Sequence, residues 1–270
     1  MFLNKKYNRL KSIIKELERV VIAYSGGVDS NLLAKVSYDL LKENAMAITV
    51  FGPMHTEKEI NESIKLAKNI GIKHKIIKLN GDEIEVFKHN PKDRCYLCKK
   101  KVFKGIIDEA LEFGTKNVLD GSNLDDLNDY RPGMKAINEL GVLSPLKEAE
   151  FSKEDIRILS NKLNLPTWNK PAAPCLATRI PYGSEITKEK LRMIEKGEEL
   201  IRDLGFKEVR VRHHGNLARI EVSSGEVIKF FKNNLLNKVV KEFKLIGFKY
   251  VTLDLEGYKM GKMNDIVKGE

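Results

Sequence analysis

Three cysteines are too few, and odd in number, to staple a chain of 270 residues. A disulfide framework is therefore not expected, and metal binding or thiol chemistry becomes the question to ask of them. No apolar run approaches the roughly 20 residues needed to cross a bilayer, so no membrane partner is expected. Met1-Phe2-Leu3-Asn4-Lys5-Lys6 has neither an apolar signal core nor a small-residue cleavage site, and the expected location is the cytoplasm. Internal repeats and low-complexity tracts are also absent. What is there is 42% hydrophobic and 32% charged, a globular composition that excludes disorder, collagen and coiled coil.

Lysine and arginine number 48 against 38 acidic residues, a net charge of +10. Such an excess favours an anionic partner, either nucleic acid or a smaller phosphate-bearing molecule. Residues 188–270 carry +5 of it on 83 residues, twice the density of the rest.

The first ~180 residues alternate strands with helices. Strands read at Val20–Tyr24, Met46–Phe51, His74–Leu79 and Asn117–Leu119, and helices at 5–18, from after Ser30 to 42, 57–70, from just after Cys98 to 113, and 152–163. Gly71 closes the third of these regions, and Ser152 with Asp155 opens the last. Residues 124–145 read as a loop-rich connection with one helix. The expected fold is α/β, a doubly wound parallel sheet with ligands at the carboxyl ends of its strands. Four prolines between Asn164 and Gly183 mark a constrained loop. Beyond it a helix from Thr187, a hairpin near 208–222, a helix near 224–243 and a strand at Tyr250–Leu255 read as a small α+β domain, with the last ~15 residues frayed. The expected domains are 1–183 and 184–270.

Ser25-Gly26-Gly27-Val28-Asp29-Ser30 lies between a strand and a helix. Its glycines let backbone amides approach an anion, the helix N-terminus adds partial positive charge, and Ser25 and Ser30 add hydroxyls. The segment lacks the Gly-Lys-Ser/Thr ending of a Walker loop and is not Gly-x-Gly-x-x-Gly. A plain tight turn is the bland alternative. The hexapeptide resembles the pyrophosphate loop of the PP-loop ATP-pyrophosphatase (adenine nucleotide α-hydrolase-like) superfamily. That resemblance implies cleavage of ATP to AMP and pyrophosphate while a substrate is adenylated. It implies that residues 25–30 hold pyrophosphate, that backbone near Ala23 and Phe51 meets adenosine, and that Asp29 helps hold Mg²⁺.

Cys95 and Cys98 form a C-x-x-C read as lying just before a helix, amid Lys92, Arg94, Lys99, Lys100, Lys101 and Lys104. Positive charge and a helix start both favour thiolates. Cys175 follows 77 residues after Cys98. The residues alone leave four readings open: a redox dithiol, a zinc site with His89 as fourth ligand, unliganded structural thiols, and a [4Fe–4S] cluster with one iron lacking a protein ligand.

Pro174-Cys175-Leu176-Ala177-Thr178-Arg179-Ile180-Pro181-Tyr182-Gly183, Gly121-Ser122-Asn123-Leu124-Asp125-Asp126 and Tyr130-Arg131-Pro132-Gly133 are similar to motifs of LarE-type sulfur transferases, over nearly the whole chain. This resemblance implies adenylation of a carboxylate of a pyridinium mononucleotide and insertion of sulfur, on the route to the nickel-pincer nucleotide cofactor. In one subgroup the cysteine matching Cys175 gives up its own sulfur. With Cys95 and Cys98 present, the chain resembles instead the three-cysteine members, in which a [4Fe–4S] cluster carries the sulfide. Gly121 and Asp125 join the candidate nucleotide-binding set. Asp125 and Asp126 suit either Mg²⁺ or a helix-starting turn.

Lys207–His214 alternates apolar and basic residues, Gly215-Asn216 makes a two-residue turn, and Leu217–Val222 returns. The register sets Val211 opposite Ile220 and Val209 opposite Val222 on one face. On the other, Arg210 faces Glu221 and Arg212 faces Arg219. Facing arginines repel unless an anion lies near them, and guanidinium forks suit phosphate. Arg210, Arg212, Arg219 and Glu221, with Arg179, are therefore the candidate site for the mononucleotide's phosphate; a solvated basic face is the alternative. His213 and His214 point to opposite faces, and surface or core roles are expected for them.

The expected activity is an ATP-dependent, pyrophosphate-forming sulfur transferase, homo-oligomeric by resemblance, with an outside sulfide source and no nucleic-acid partner. A tRNA thiolase of the same superfamily and a zinc-stabilised, non-catalytic ATP-binding regulator are the alternatives.

Overall fold

A computed structural model describes residues 2–52, 55–79, 88–128, 132–171, 174–232 and 234–259. Tyr130 and Arg131 of one motif, and most of the C-terminal tail, lie outside the described residues. The chain divides into two compact units, the first ending before Pro174 and the second taking in residues 88–92 as well as those from 174 onward.

The first unit runs α1 (Phe2–Glu16), β1 (Val20–Ala23), α2 (Val28–Leu41), β2 (Ala45–Phe51), α3 (Glu57–Ile70), β3 (Lys73–Lys78), α4 (Arg94–Glu112), β4 (Val118–Leu119), α5 (Pro132–Glu139), the single turn α6 (Pro145–Glu148) and α7 (Lys153–Lys162). The four strands form one parallel sheet in the order β3-β2-β1-β4. The unbroken apolar run of β1 follows from its central place. Val20 and Ile22 enter a core with Leu10, Leu32, Leu33, Ala67 and Ile156. Val21 points the other way, into a core with Met46, Phe103, Ile106 and Ile137. Helices thus cover both faces, and the chain has the expected doubly wound α/β architecture.

Local signals set several helix ends. Thr56 and Glu59 form a capping box at the start of α3, and Gly71 ends it at φ 85°. Ser152 and Asp155 form a second capping box ahead of α7. The structure corrects the reading at Cys95. Helix α4 begins at Arg94, so Cys95 and Cys98 lie inside it rather than before it. Asp93 stands at the cap position but makes no side-chain capping bond, so the sequence carries no start signal there. The connection 124–145 holds a 3₁₀ turn (Leu124–Asn128) as well as α5.

The second unit contains a 3₁₀ turn (Leu176–Arg179), α8 (Lys188–Asp203), β5 (Val209–His214), β6 (Leu217–Val222), a 3₁₀ helix (Ser224–Phe231), α9 (Leu235–Ile246) and β7 (Tyr250–Leu253). The hairpin has the register read from its sequence, with Arg212 opposite Arg219 and Val211 opposite Ile220. Strand β7 joins β6 in parallel. Val209, Val211, Ile220 and Val222 pack on Ile201, Phe243 and Phe248. The single helix expected near 224–243 is divided, because Asn234 adopts φ 57°, which a right-handed helix does not hold. Residues 174–183 belong here through local bonds: Asn90 Nδ2 donates to the carbonyls of Ile180 (3.0 Å) and Pro181 (2.7 Å), and the Gly183 amide donates to Asn90 O (2.9 Å).

Burial pulls the pKa values of His74 and His213 below the ordinary histidine value. The unfolded chain therefore binds more protons than the folded one as pH falls through about 6.5, and stability present above that pH is lost below it. The thermal unfolding midpoint is expected to fall between about pH 7.5 and about pH 5.5, before carboxylates titrate. Calorimetry across that range checks it, and a flat or rising midpoint contradicts it.

Candidate active site

The glycine segment is a strand-to-helix turn at the carboxyl end of β1. Gly26 has φ 68°, and a Cβ there would come within 3.4 Å of Ser63. Gly27 is the residue ahead of α2 and offers no side chain to its first amides. A helix start without a side-chain cap suits an anion, which the helix dipole also favours. The serines brace the turn: Ser25 Oγ and Ser30 Oγ are 3.2 Å apart, and the Gly27 amide donates to Ser25 Oγ (3.4 Å).

The segment after β4 comes against it. A Cβ on Gly121 would stand 3.1 Å from both Asp29 Cβ and Ser30 N. Asn123 Nδ2 donates to Asp29 Oδ1 (3.3 Å), and Lys153 Nζ pairs with Asp29 Oδ2. Asp125 and Asp126 serve the turn. Asp126 accepts from the Asn123 amide (3.0 Å), and Asp125 accepts from the Lys153 amide (2.8 Å). Ala23 ends β1 and Phe51 ends β2, both half-buried, and Phe51 O accepts from the Leu79 amide (2.8 Å).

Two lysines missing from the sequence-derived set stand at this turn. Lys153 reaches Asp29, and Lys170 Nζ donates to Gly26 O (3.0 Å) and pairs with Glu62 (2.8 Å). Sequence separations of 124 and 144 residues gave no local signal for either contact.

Cys95 is exposed and Cys98 half-buried, three residues apart near the start of α4 and so on neighbouring helix positions. Cys175, exposed, lies in the second unit. Among the described residues no three His, Cys, Asp or Glu side chains form a group that could hold a metal ion. The donor types suit iron–sulfur or zinc.

In the second unit, the expected phosphate arginines divide into two kinds. Arg179 is buried and pairs with Glu198 (2.7 and 3.1 Å), while its Nη1 holds the carbonyls of Pro174 (2.7 Å) and Cys175 (3.0 Å). Arg212 is buried and paired with Glu221 (3.0 and 2.9 Å), and donates to Thr178 O (2.9 Å). The anion required between the facing arginines is thus the protein's own Glu221, which also accepts from Arg219 (3.2 Å). Arg219 and Arg210 are the more open pair. Among the described residues the buried Arg219 Nε has no hydrogen-bond partner, and Asp254 Oδ2 is 3.6 Å away. Arg210 lies 4.9 Å above the Tyr258 ring, and burial, then the Arg179 charge, lower its pKa. His213 is buried on the opposite face against Phe248, and His214 is exposed.

A parallel sheet with a glycine turn between β1 and α2 is the arrangement of ATP-utilising enzymes of the PP-loop class, and the chain is one of them. A family model described as NAD synthase matches residues 2–111. The chain is 38% identical over 257 residues to the pyridinium-3,5-bisthiocarboxylic acid mononucleotide synthase of Lactiplantibacillus plantarum, covering 95% of this chain and 92% of that one. An uncharacterized protein of Synechocystis sp. is 45% identical over 98% of this chain and 99% of its own length. Another of Methanocaldococcus jannaschii is 35% identical over 94% and 98%. The chain belongs to the LarE-type sulfur transferase family of the PP-loop superfamily. Among the described residues no helix is long and apolar enough to cross a membrane.

Two substitutions probe this geometry. Gly121→Ala pushes a methyl group into Asp29 and Ser30, and a displacement of this kind is expected to weaken ATP binding about tenfold or more, read by titration. Glu221→Ala strands the buried Arg212 charge and is expected to destabilise the chain by about 3–5 kcal/mol in denaturant unfolding.

Proposed function

We propose that this enzyme adenylates a carboxylate of a pyridinium mononucleotide and replaces the adenylate with sulfur, giving a thiocarboxylate on the route to the nickel-pincer nucleotide cofactor. The observation that carries this reading is near full-length similarity to the bisthiocarboxylic acid mononucleotide synthase, joined to an anion-holding turn at the end of β1.

The chemistry balances without net redox change. A substrate carboxylate oxygen attacks the α-phosphorus of ATP, the bond to the β-phosphate oxygen breaks, and pyrophosphate leaves. A sulfur nucleophile then attacks the acyl carbon, and AMP departs with the bridging oxygen. Residues 25–30 hold the departing pyrophosphate through backbone amides at the start of α2 and the Ser25 and Ser30 hydroxyls. Backbone near Ala23 and Phe51 receives adenosine, and Gly121 keeps the neighbouring segment close. Asp29 is the carboxylate that would hold Mg²⁺, whose charge offsets that of the phosphates when bound.

Cys95, Cys98 and Cys175 would hold a [4Fe–4S] cluster, a reading supported by the residue types and the family rather than by an assembled ligand set. When bound, it supplies sulfide at the iron that no cysteine ligates. Arg179 steadies the backbone of Cys175. The substrate's phosphate is met by Arg210 and Arg219, with Glu221 holding Arg219 and the Tyr258 ring beneath Arg210. We assign residues 184–270 to this phosphate contact and to assembly of a homo-oligomer, and the enzyme to the cytoplasm.

Anaerobic purification with iron, zinc and sulfide analysis, followed by ATP and the pyridinium dicarboxylate mononucleotide under mass spectrometry, tests the reading. Iron and sulfide in the protein, with AMP, pyrophosphate and a thiocarboxylate product, are expected. Loss of the elements of hydrogen sulfide from Cys175 overturns the cluster as donor. Stoichiometric zinc without iron, or products lacking thiocarboxylate, overturns the cofactor or the substrate assignment respectively.

A further inference from the structure

A cavity of about 560 Å³ lies between α3 and β3, the edge strand of the sheet. That is the size of a small-molecule site. None of the candidate nucleotide, cysteine or phosphate residues lines it. Its walls are aliphatic: Ile64 from α3, Ile72 between helix and strand, and Ile76 from β3. Ile64 and Ile76 are exposed, so the cavity presents apolar surface to water. Two polar side chains join them, Lys68 and His74, and among the described residues no carboxylate lines the cavity. Lys68 stands one helical turn after Ile64 and has no ion-pair partner among the described residues.

The tautomer of His74 is set by its neighbours. Thr49 Oγ1 donates its single proton to Tyr24 O (2.7 Å), which can only accept. In its contact with His74 Nε2 (2.8 Å) the hydroxyl therefore accepts, and Nε2 carries the hydrogen. Burial lowers the His74 pKa and keeps the ring neutral at pH 7. Nδ1 is then a bare acceptor, and among the described residues no donor reaches it. The same bonds run on to the glycine turn. Tyr24 O belongs to the peptide whose amide, on Ser25, donates to Ser30 Oγ (3.3 Å), and Ser30 Oγ donates to Gly27 O (3.3 Å). Hydrogen bonds in such a chain polarise one another, so a donor placed on Nδ1 is felt at Ser25 and Ser30.

We propose that this cavity is an effector site for a small apolar carboxylate that carries one hydrogen-bond donor, such as an aromatic acid with a ring N–H. The isoleucines take the apolar body, Lys68 the carboxylate and His74 Nδ1 the donor. Binding strengthens the chain that runs from His74 through Thr49 and Tyr24 O to the turn. A hydroxyl that accepts a stronger bond becomes a stronger donor, so an occupied cavity tightens the hold of the turn on an anion.

The coupling rests on the nucleotide reading of residues 25–30, whereas binding in the cavity does not, and the test separates them. Calorimetric titrations on the full chain use indole-3-acetate, 1-methylindole-3-acetate, which lacks the N–H donor, and tryptamine, which reverses the charge. Indole-3-acetate is expected to bind with a dissociation constant of about 1 mM or tighter. The other two probes, and Lys68→Met with indole-3-acetate, are expected to be weaker by about tenfold. Ile64→Glu sets a carboxylate at an exposed position of the wall and is expected to abolish binding with the unfolding midpoint unchanged. ATP titrated into protein saturated with indole-3-acetate is expected to bind about fivefold more tightly than into free protein. Thr49→Val keeps the cavity and is expected to lose that gain. Failure of indole-3-acetate to bind, equal binding of all three probes, or binding untouched by both Lys68→Met and Ile64→Glu overturns the site. Protein that binds ATP equally well with the cavity filled or empty overturns the effector role. Protein that binds no ATP overturns the nucleotide reading, and the effector role with it.

Discussion

The sheet order sets where chemistry can occur. Strand β1 sits inside the sheet with β2 on one side and β4 on the other, so the chain leaves β1 toward one flank and returns later on the opposite flank. At such a switch point the connections after two neighbouring strands part and leave a crevice at their carboxyl ends. Here those connections are the glycine turn after β1 and the Gly121–Asn123 segment after β4. Their closeness is measured by Gly121, where a Cβ would fall 3.1 Å from Asp29. The apolar alternation of β1 between two cores fixes this strand in the interior, and the site follows from it.

The second unit depends on a different device. Glu198 and Glu221 are almost wholly buried, and each is surrounded by arginines: Arg179 and Arg202 for the first, Arg212 and Arg219 for the second. A buried pair of this kind contributes little net stability against an apolar replacement, while removal of one partner is expensive. Its value lies in position. Arg179 spans from Glu198 to the backbone of Cys175, and Arg212 spans from Glu221 to the backbone of Thr178, so two ion pairs fix the turn that carries the cysteine.

What could be read in advance was what is local. The cap at Ser152 with Asp155, the helix end at Gly71 and the hairpin register each depend on residues within a few positions of one another. The start of α4 was misplaced because Asp93 makes no capping bond and the charged run around Cys95 has no periodic face to mark it. The helix near Asn234 was drawn too long because asparagine's tolerance of positive φ does not announce where it is used. In the hairpin, the pairing of Arg212 with Arg219 was legible, whereas the turning of Glu221 into the space between them was not. That choice depends on which carboxylate the buried face can reach, and it changes Arg212 from a candidate ligand into a support. Lys153 and Lys170 carry no local signal, because their contacts to Asp29 and Gly26 span 124 and 144 positions.

The charge at the glycine turn explains why its basic residues are not left bare. The N-terminus of α2 already presents positive potential, and two unpaired ammonium groups beside it would repel both the helix end and each other. Asp29 and Glu62 relieve that repulsion while the site is empty, at the expense of affinity, because every carboxylate beside an anion site also repels the anion. The two are not equivalent. Asp29 lies on the turn and is braced by Asn123, so it stays where a cation would need a ligand. Glu62 lies on α3, paired with Lys170, with its side chain 44% exposed. One carboxylate is therefore built into the turn and the other is a solvent-facing counter-charge. A net charge of +10 is thus compatible with an ordered, well-compensated active site, because the local balance is nearly neutral until the ligand brings its own charge.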